Sequence, residues 1–144
     1  GGNWIIDQVK IIDVYPKHEQ LANIYDQSQG TGGSPYNVLL DLAKMGVPFP
    51  LEGAGLVGQD ALGQYILDDC DQNGIDPKFI SVSPGTSTSY TDVMTERVGG
   101  RRTFFHNRGA NATWSGSDLD FTTSSAKIFH LGYLLLFLLY SQKY

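Results

Sequence analysis

Apolar positions follow two different rhythms along the chain. Near the start, Trp4, Ile5 and Ile6 form a short apolar run that closes on Asp7, and Val9, Ile11 and Ile12 carry the extended character towards Pro16. A run of this length predicts a short buried strand. After Gly30-Thr31-Gly32-Gly33-Ser34-Pro35, which reads as a tight loop, the rhythm turns helical. Val38, Leu39, Leu42 and Ala43 give one apolar face, with Ser34 as N-cap, Pro35 at the first helical position, and Gly46 and Pro48 past the end. A second helix fits Asp60 to Asn73, where Leu62, Ile66 and Cys70 lie four apart, Leu67 sits alongside and Asn73-Gly74 is a stop signal. Phe79 to Val82 reads as a short strand. Thr88 to Thr95 is rich in Thr, Tyr and Val, Gly99-Gly100 makes a turn, and Arg101 to His106 returns, which together predict a β-hairpin. The apolar run from Ile128 to Tyr140 is shorter than the roughly 20 residues of a membrane span, so it reads as a buried strand. The fold class is α/β, with a β-rich excursion.

Composition narrows this picture without changing it. The 144 residues are 41% hydrophobic and 17% charged, which suits one globular domain with a real core. A net charge of −5 speaks against a nucleic-acid partner and against an anionic membrane surface. Cys70 is the single cysteine, so no intrachain disulfide forms and a reducing, cytoplasmic setting is expected. Asn111-Ala112-Thr113 matches a glycosylation sequon, read as chance without an export signal. A buried apolar strand close to the last residue lacks neighbours, which suggests part of a longer protein.

Several motifs invite chemistry. Gly53-Ala54-Gly55-Leu56-Val57-Gly58 is a literal G-x-G-x-x-G, the phosphate-binding turn of dinucleotide-binding oxidoreductases when a strand precedes it and a helix follows. Pro48 and Pro50 weaken the preceding strand, and Asp60 at the helix start competes with a phosphate for the same amides. The string therefore reads as a structural glycine turn. Asp69-Cys70-Asp71-Gln72-Asn73-Gly74 begins like a calcium loop, but its twelfth position is Ile80 in place of the bidentate Glu. No Gly-Lys-Ser/Thr follows a glycine loop, and His18, His106 and His130 lack metal-ligand spacing. The loop Gly32-Gly33-Ser34-Pro35-Tyr36-Asn37 has the needs of a polyol site: glycines for close approach, free helix N–H groups, and Asn37 as donor and acceptor. A plain loop-to-helix cap explains it equally. All four arginines, Arg97, Arg101, Arg102 and Arg108, fall in one twelve-residue window, beside Phe104 and Phe105. They form either a solvated hairpin face or an attractor for an anionic substrate group.

Taken in order, these pieces resemble the ribokinase-like, or PfkB, carbohydrate kinases up to about Leu136. Gly2-Asn3-Trp4-Ile5-Ile6-Asp7 is similar to the opening strand with its sugar-binding aspartate. Gly32 to Asn37 resembles the N-terminal family signature, Leu42-Ala43-Lys44-Met45-Gly46 the segment after it, and Gly55 to Gly63 the family's G-x-VG-x-D-x-x-G. Asn73 to Asp76 and Gly109-Ala110-Asn111-Ala112 match further family segments. Leu39 stands where the signature has a small residue, and Gly46 to Gly58 is longer than usual. The resemblance implies a ribokinase-like fold over residues 1–144, a parallel-rich sheet flanked by helices, with a β-sheet lid formed by segments at about 9–27 and 87–107. It implies an ATP- and Mg2+-dependent kinase acting on a sugar hydroxyl. Substrate-binding residues would be Asp7, Gly32, Gly33 and Asn37, with His106 and Arg108 on the lid side, and dimers would pair through the lid. The family's ATP site and catalytic base have no counterpart in these residues, so the chain alone is expected to be inactive. A dinucleotide-binding oxidoreductase and a non-catalytic sugar-binding or dimerisation module are the alternatives.

Overall fold

The computed structural model describes residues 1–117 and 119–132. Strand β1 (Ile5–Ile12) pairs antiparallel with β2 (Ile24–Gly32) on one side and parallel with β5 (Tyr90–Glu96) on the other. The expected hairpin is present: β6 (Arg102–Asn107) lies antiparallel to β5, which completes a four-stranded sheet ordered β2-β1-β5-β6. A second sheet joins β3 (Leu51–Gly58) and β4 (Ile75–Ser83) in parallel. The first residues of the chain reach this second sheet through a bond from the Gly2 amide to the Ala54 carbonyl, 3.0 Å, and Gly2 also forms an isolated bridge with Gly132.

Helix α1 (Ser34–Lys44) crosses from β2 to β3, and α2 (Ala61–Gln72) connects β3 to the parallel β4. The core gathers Trp4, Ile6, Tyr36, Leu51, Val57, Ile66, Cys70, Ile75 and Ile80. Leu39, Leu42 and Ala43 of α1 pack against it, as do Leu62 and Leu67 of α2, so the apolar stripes point where their periodicity places them. Asp60 caps α2 by accepting from the Gly63 amide at 2.8 Å, and Gly74, at φ +68°, follows its end.

Four expectations need correction. The cap of α1 is Gly33, with Ser34 already helical, because Gly33 takes φ +97° and leaves no place for a side-chain cap. Gly30 to Gly32, read as a tight loop, complete the β2 ladder instead. The Gly-Ala-Gly-Leu-Val-Gly string is a buried strand and not a turn. Strand β3 begins at Leu51, directly after Pro50, so both prolines fall outside the ladder. In the run from Ile128, residues 128–131 form no strand and Ile128 is 87% exposed; the remainder after Gly132 lies outside the described residues.

Glycine spacing explains the β3 string. Gly53 and Gly55 point to one face of the strand, where the Trp4 indole lies across them and donates from Nε1 to the Ala54 carbonyl at 2.8 Å. A Cβ at Gly53 would come within 3.0 Å of the indole, and one at Gly55 would overlap it. A Cβ at Gly58 would overlap the backbone of Thr86 and Thr88. The three glycines are therefore packing requirements.

Candidate functional site

The candidate site starts from strand register. Asp7 pairs with Thr91, and Thr91 with His106, so these three side chains stand in one row on the same face of the sheet. The Thr91 hydroxyl and His106 Nδ1 share a hydrogen bond of 2.8 Å. At the other end of the row, a Cβ on Gly32 would collide with the Asp7 carboxylate, so the glycine seats the acid. Gly33 has a different reason: its Cβ would overlap the Asn3 carbonyl, so the backbone just before β1 and the start of α1 come into direct contact. Asn37 lies one turn into α1, where its amide donates to the Gly33 carbonyl at 3.0 Å and its side chain is exposed.

The electrostatics set Asp7 apart. Burial pushes its carboxyl above the ordinary carboxylate value, while the charges of His106 and Arg102 pull it back only in part. Burial lowers the His106 pKa, the Arg108 charge lowers it further, and Asp7 works in the opposite direction. Asp7, Gly32 and His106 are thus brought to one row, the Arg108 charge acts on His106, and Gly33 abuts Asn3 beside them. Asn37 is joined to the group through the helix start, and nothing in the structure shows its side chain touching the others. Thr91 was missed by sequence reasoning, and Arg102 was singled out only as part of the arginine cluster. Arg102 was visible within the arginine window, whereas Thr91 carried no signal until the register put it between Asp7 and His106.

Asp60 belongs to a separate, structural network. Its carboxylate accepts from the Thr88 amide at 2.8 Å and the Thr88 hydroxyl at 2.6 Å, in addition to the Gly63 amide. The Gly58 amide donates to the Thr88 hydroxyl oxygen at 2.9 Å and the Gln64 amide to the Asp60 carbonyl at 3.0 Å. The amides where a nucleotide phosphate would sit in a dinucleotide site are already engaged. Asn111 is also structural. It is 1% exposed, donates from Nδ2 to the Trp4 carbonyl at 2.7 Å, and accepts from the Trp4 amide at 3.4 Å, which leaves no room for a glycan. Among the described residues no group of three His, Cys, Asp or Glu is placed to hold a metal, and no helix is long and apolar enough to cross a membrane.

The family model of pfkB family carbohydrate kinase matches residues 3–141. Solved structures share the fold at low identity. A ribokinase from Thermotoga maritima superposes with a TM-score of 0.74 at 20% identity, over 85% of this chain and 39% of its own. A fructokinase from Xylella fastidiosa gives 0.68 at 23% identity, over 90% and 38%. The Arabidopsis thaliana ribokinase complexed with ribose and ATP gives 0.66 at 22% identity, over 76% and 35%. The chain thus spans less than two fifths of the length of these structures. No curated protein matches it in sequence.

Proposed function

From the premise that the chain belongs to the pfkB family of carbohydrate kinases, we propose that its residues form the sugar side of an ATP-dependent phosphotransferase. The observation that carries this reading is Asp7: a half-buried carboxylate seated on Gly32, with a pKa raised by burial and with no ion pair among the described residues. A partly desolvated acceptor without an ion pair is suited to hold a sugar hydroxyl. Asn37 would hold a neighbouring hydroxyl from the first turn of α1, and Gly33 brings that turn against β1. His106 and Arg108 would close over the sugar from the hairpin.

When bound, Mg-ATP would supply the phosphoryl group. The part of this chain is to orient the acceptor and exclude water, which otherwise competes for the phosphoryl group. The four-stranded sheet would act as the lid, and its exposed Ile24, Tyr25, Phe104 and Phe105 suit a homodimer that pairs through it.

The test is sugar binding in the full-length protein with Asp7→Asn as the variant. Removing one charged hydrogen-bond partner should weaken sugar affinity roughly 10- to 100-fold. Equal affinity in both forms would remove Asp7 from the site.

A further inference from the structure

We infer that Thr91 is a positioning residue for sugar binding: its hydroxyl donates to His106 Nδ1, which leaves the ring N–H on Nε2 to donate to a sugar hydroxyl across from Asp7. The inference rests on the sugar-kinase reading and concerns the same site. Register puts Asp7, Thr91 and His106 in one row over three neighbouring strands. Two strand spacings separate the outer members, about 10 Å between their backbones. A sugar ring fits between an acceptor on β1 and a donor on β6, with Thr91 between them.

The Thr91 hydroxyl decides which ring nitrogen carries the proton. Thr91 is 5% exposed, and among the described residues its hydroxyl bonds only to His106 Nδ1, at 2.8 Å. A buried hydroxyl has one hydrogen to place, and here only Nδ1 can take it. The opposite tautomer, with the proton on Nδ1, would leave that hydrogen without an acceptor. A neutral ring has a single N–H, so an accepting Nδ1 puts it on Nε2. The surroundings keep the ring neutral. Burial lowers the His106 pKa and the Arg108 charge lowers it further, while the Asp7 charge and the Tyr90 backbone work the other way without restoring it. A charged imidazolium would carry N–H groups on both nitrogens and turn the Thr91 hydroxyl away. The neutral ring held by Thr91 complements Asp7, because a sugar hydroxyl is both donor and acceptor: Asp7 accepts from the sugar and His106 donates to it.

Long-range proton–nitrogen NMR of the full-length, histidine-labelled protein tests this without ligand, with His106→Gln to assign the ring. At neutral pH the His106 ring should show a protonated Nε2 and a bare, hydrogen-bonded Nδ1. Thr91→Val keeps the shape of the side chain and removes its hydroxyl. It should mix the two tautomers and weaken ribose or fructose binding roughly five- to tenfold by calorimetry, with the thermal midpoint confirming a folded variant. Thr91→Ser should restore both tautomer and affinity, a rescue that a packing role for the Thr91 methyl group would not give. The wild-type tautomer keeps the test decisive if Thr91→Val does not fold. A proton on Nδ1 in the wild type, a tautomer unchanged by Thr91→Val, or equal sugar affinity in wild type, Thr91→Val and His106→Gln overturns the inference while the Asp7 site stands. Equal affinity in Asp7→Asn is the failure of the site reading, and the ligand-free tautomer does not depend on it. Binding of neither sugar removes the site reading and this inference with it.

Discussion

Burial raises the Asp7 pKa above its ordinary value, so the contribution of this group to stability is present at low pH and lost as pH rises through the folded-state pKa. At neutral pH the charge is a cost to the fold, as expected of a residue retained for binding. Asp7→Asn should therefore leave the thermal midpoint unchanged or raise it while sugar affinity falls; a midpoint lowered by several degrees would mark Asp7 as structural. Asp60 behaves in the opposite way. Burial works against its charge, but hydrogen bonds from the Thr88 hydroxyl and amide and from Gly63 outweigh it and hold the pKa below the ordinary value. Its contribution is present above pH 3.8 and lost as pH falls through the lower folded value. Asp60→Ala removes a helix cap and strands the donors of Thr88, so chemical denaturation should show a loss of about 2 kcal/mol at neutral pH. That difference should shrink on acidification; a constant difference down to acid pH would deny the carboxylate its role. Both residues were identifiable from their motifs. What separates them, desolvation against saturation with donors, depends on neighbours some 30 to 100 positions away.

At the scale of elements, helices were the most legible part of the chain. Leu62, Ile66 and Cys70 recur at helical spacing, and Asp60 and Asn73-Gly74 mark the ends, so α2 emerged with its caps in place. The period and the end signals are local physics. Strand β3 was hidden because its glycines look like punctuation, and their meaning lies in Trp4, some 50 residues upstream. The expectation from packing is specific. Gly55→Ala drives a methyl group into the Trp4 indole, and overpacking of this kind costs roughly 1–3 kcal/mol. Equilibrium unfolding should report that loss, and pairing the substitution with Trp4→Phe should recover part of it. Additive losses in the double variant would show that the two positions do not meet. The same packing argument explains why a string with the form of a nucleotide fingerprint serves instead as the seat of a tryptophan.

At the scale of the molecule, the four-stranded sheet carries Asp7 and His106 on the strands either side of β5, so a sugar bound between them ties the hairpin to β1. Amide exchange in residues 90–107 should therefore slow when sugar is added to the full-length protein, with smaller changes in β4, which belongs to the other sheet. Protection confined to α2 and β3 would place the ligand elsewhere. The sequence by itself determined the α/β class, the two helices, the hairpin and the order of the family's motifs. Each of these is written in local periodicity, cap residues and glycine placement over spans of about ten residues. The tertiary structure decided which residues make the site. Asp7, Thr91 and His106 form a row only because β1 lies parallel to β5 and β6 returns antiparallel beside it. It also decided that Gly32 seats an acid while Gly55 seats an indole. Strand register and close packing join residues that are far apart along the chain, and a pattern read over ten positions carries no information about which of them will meet.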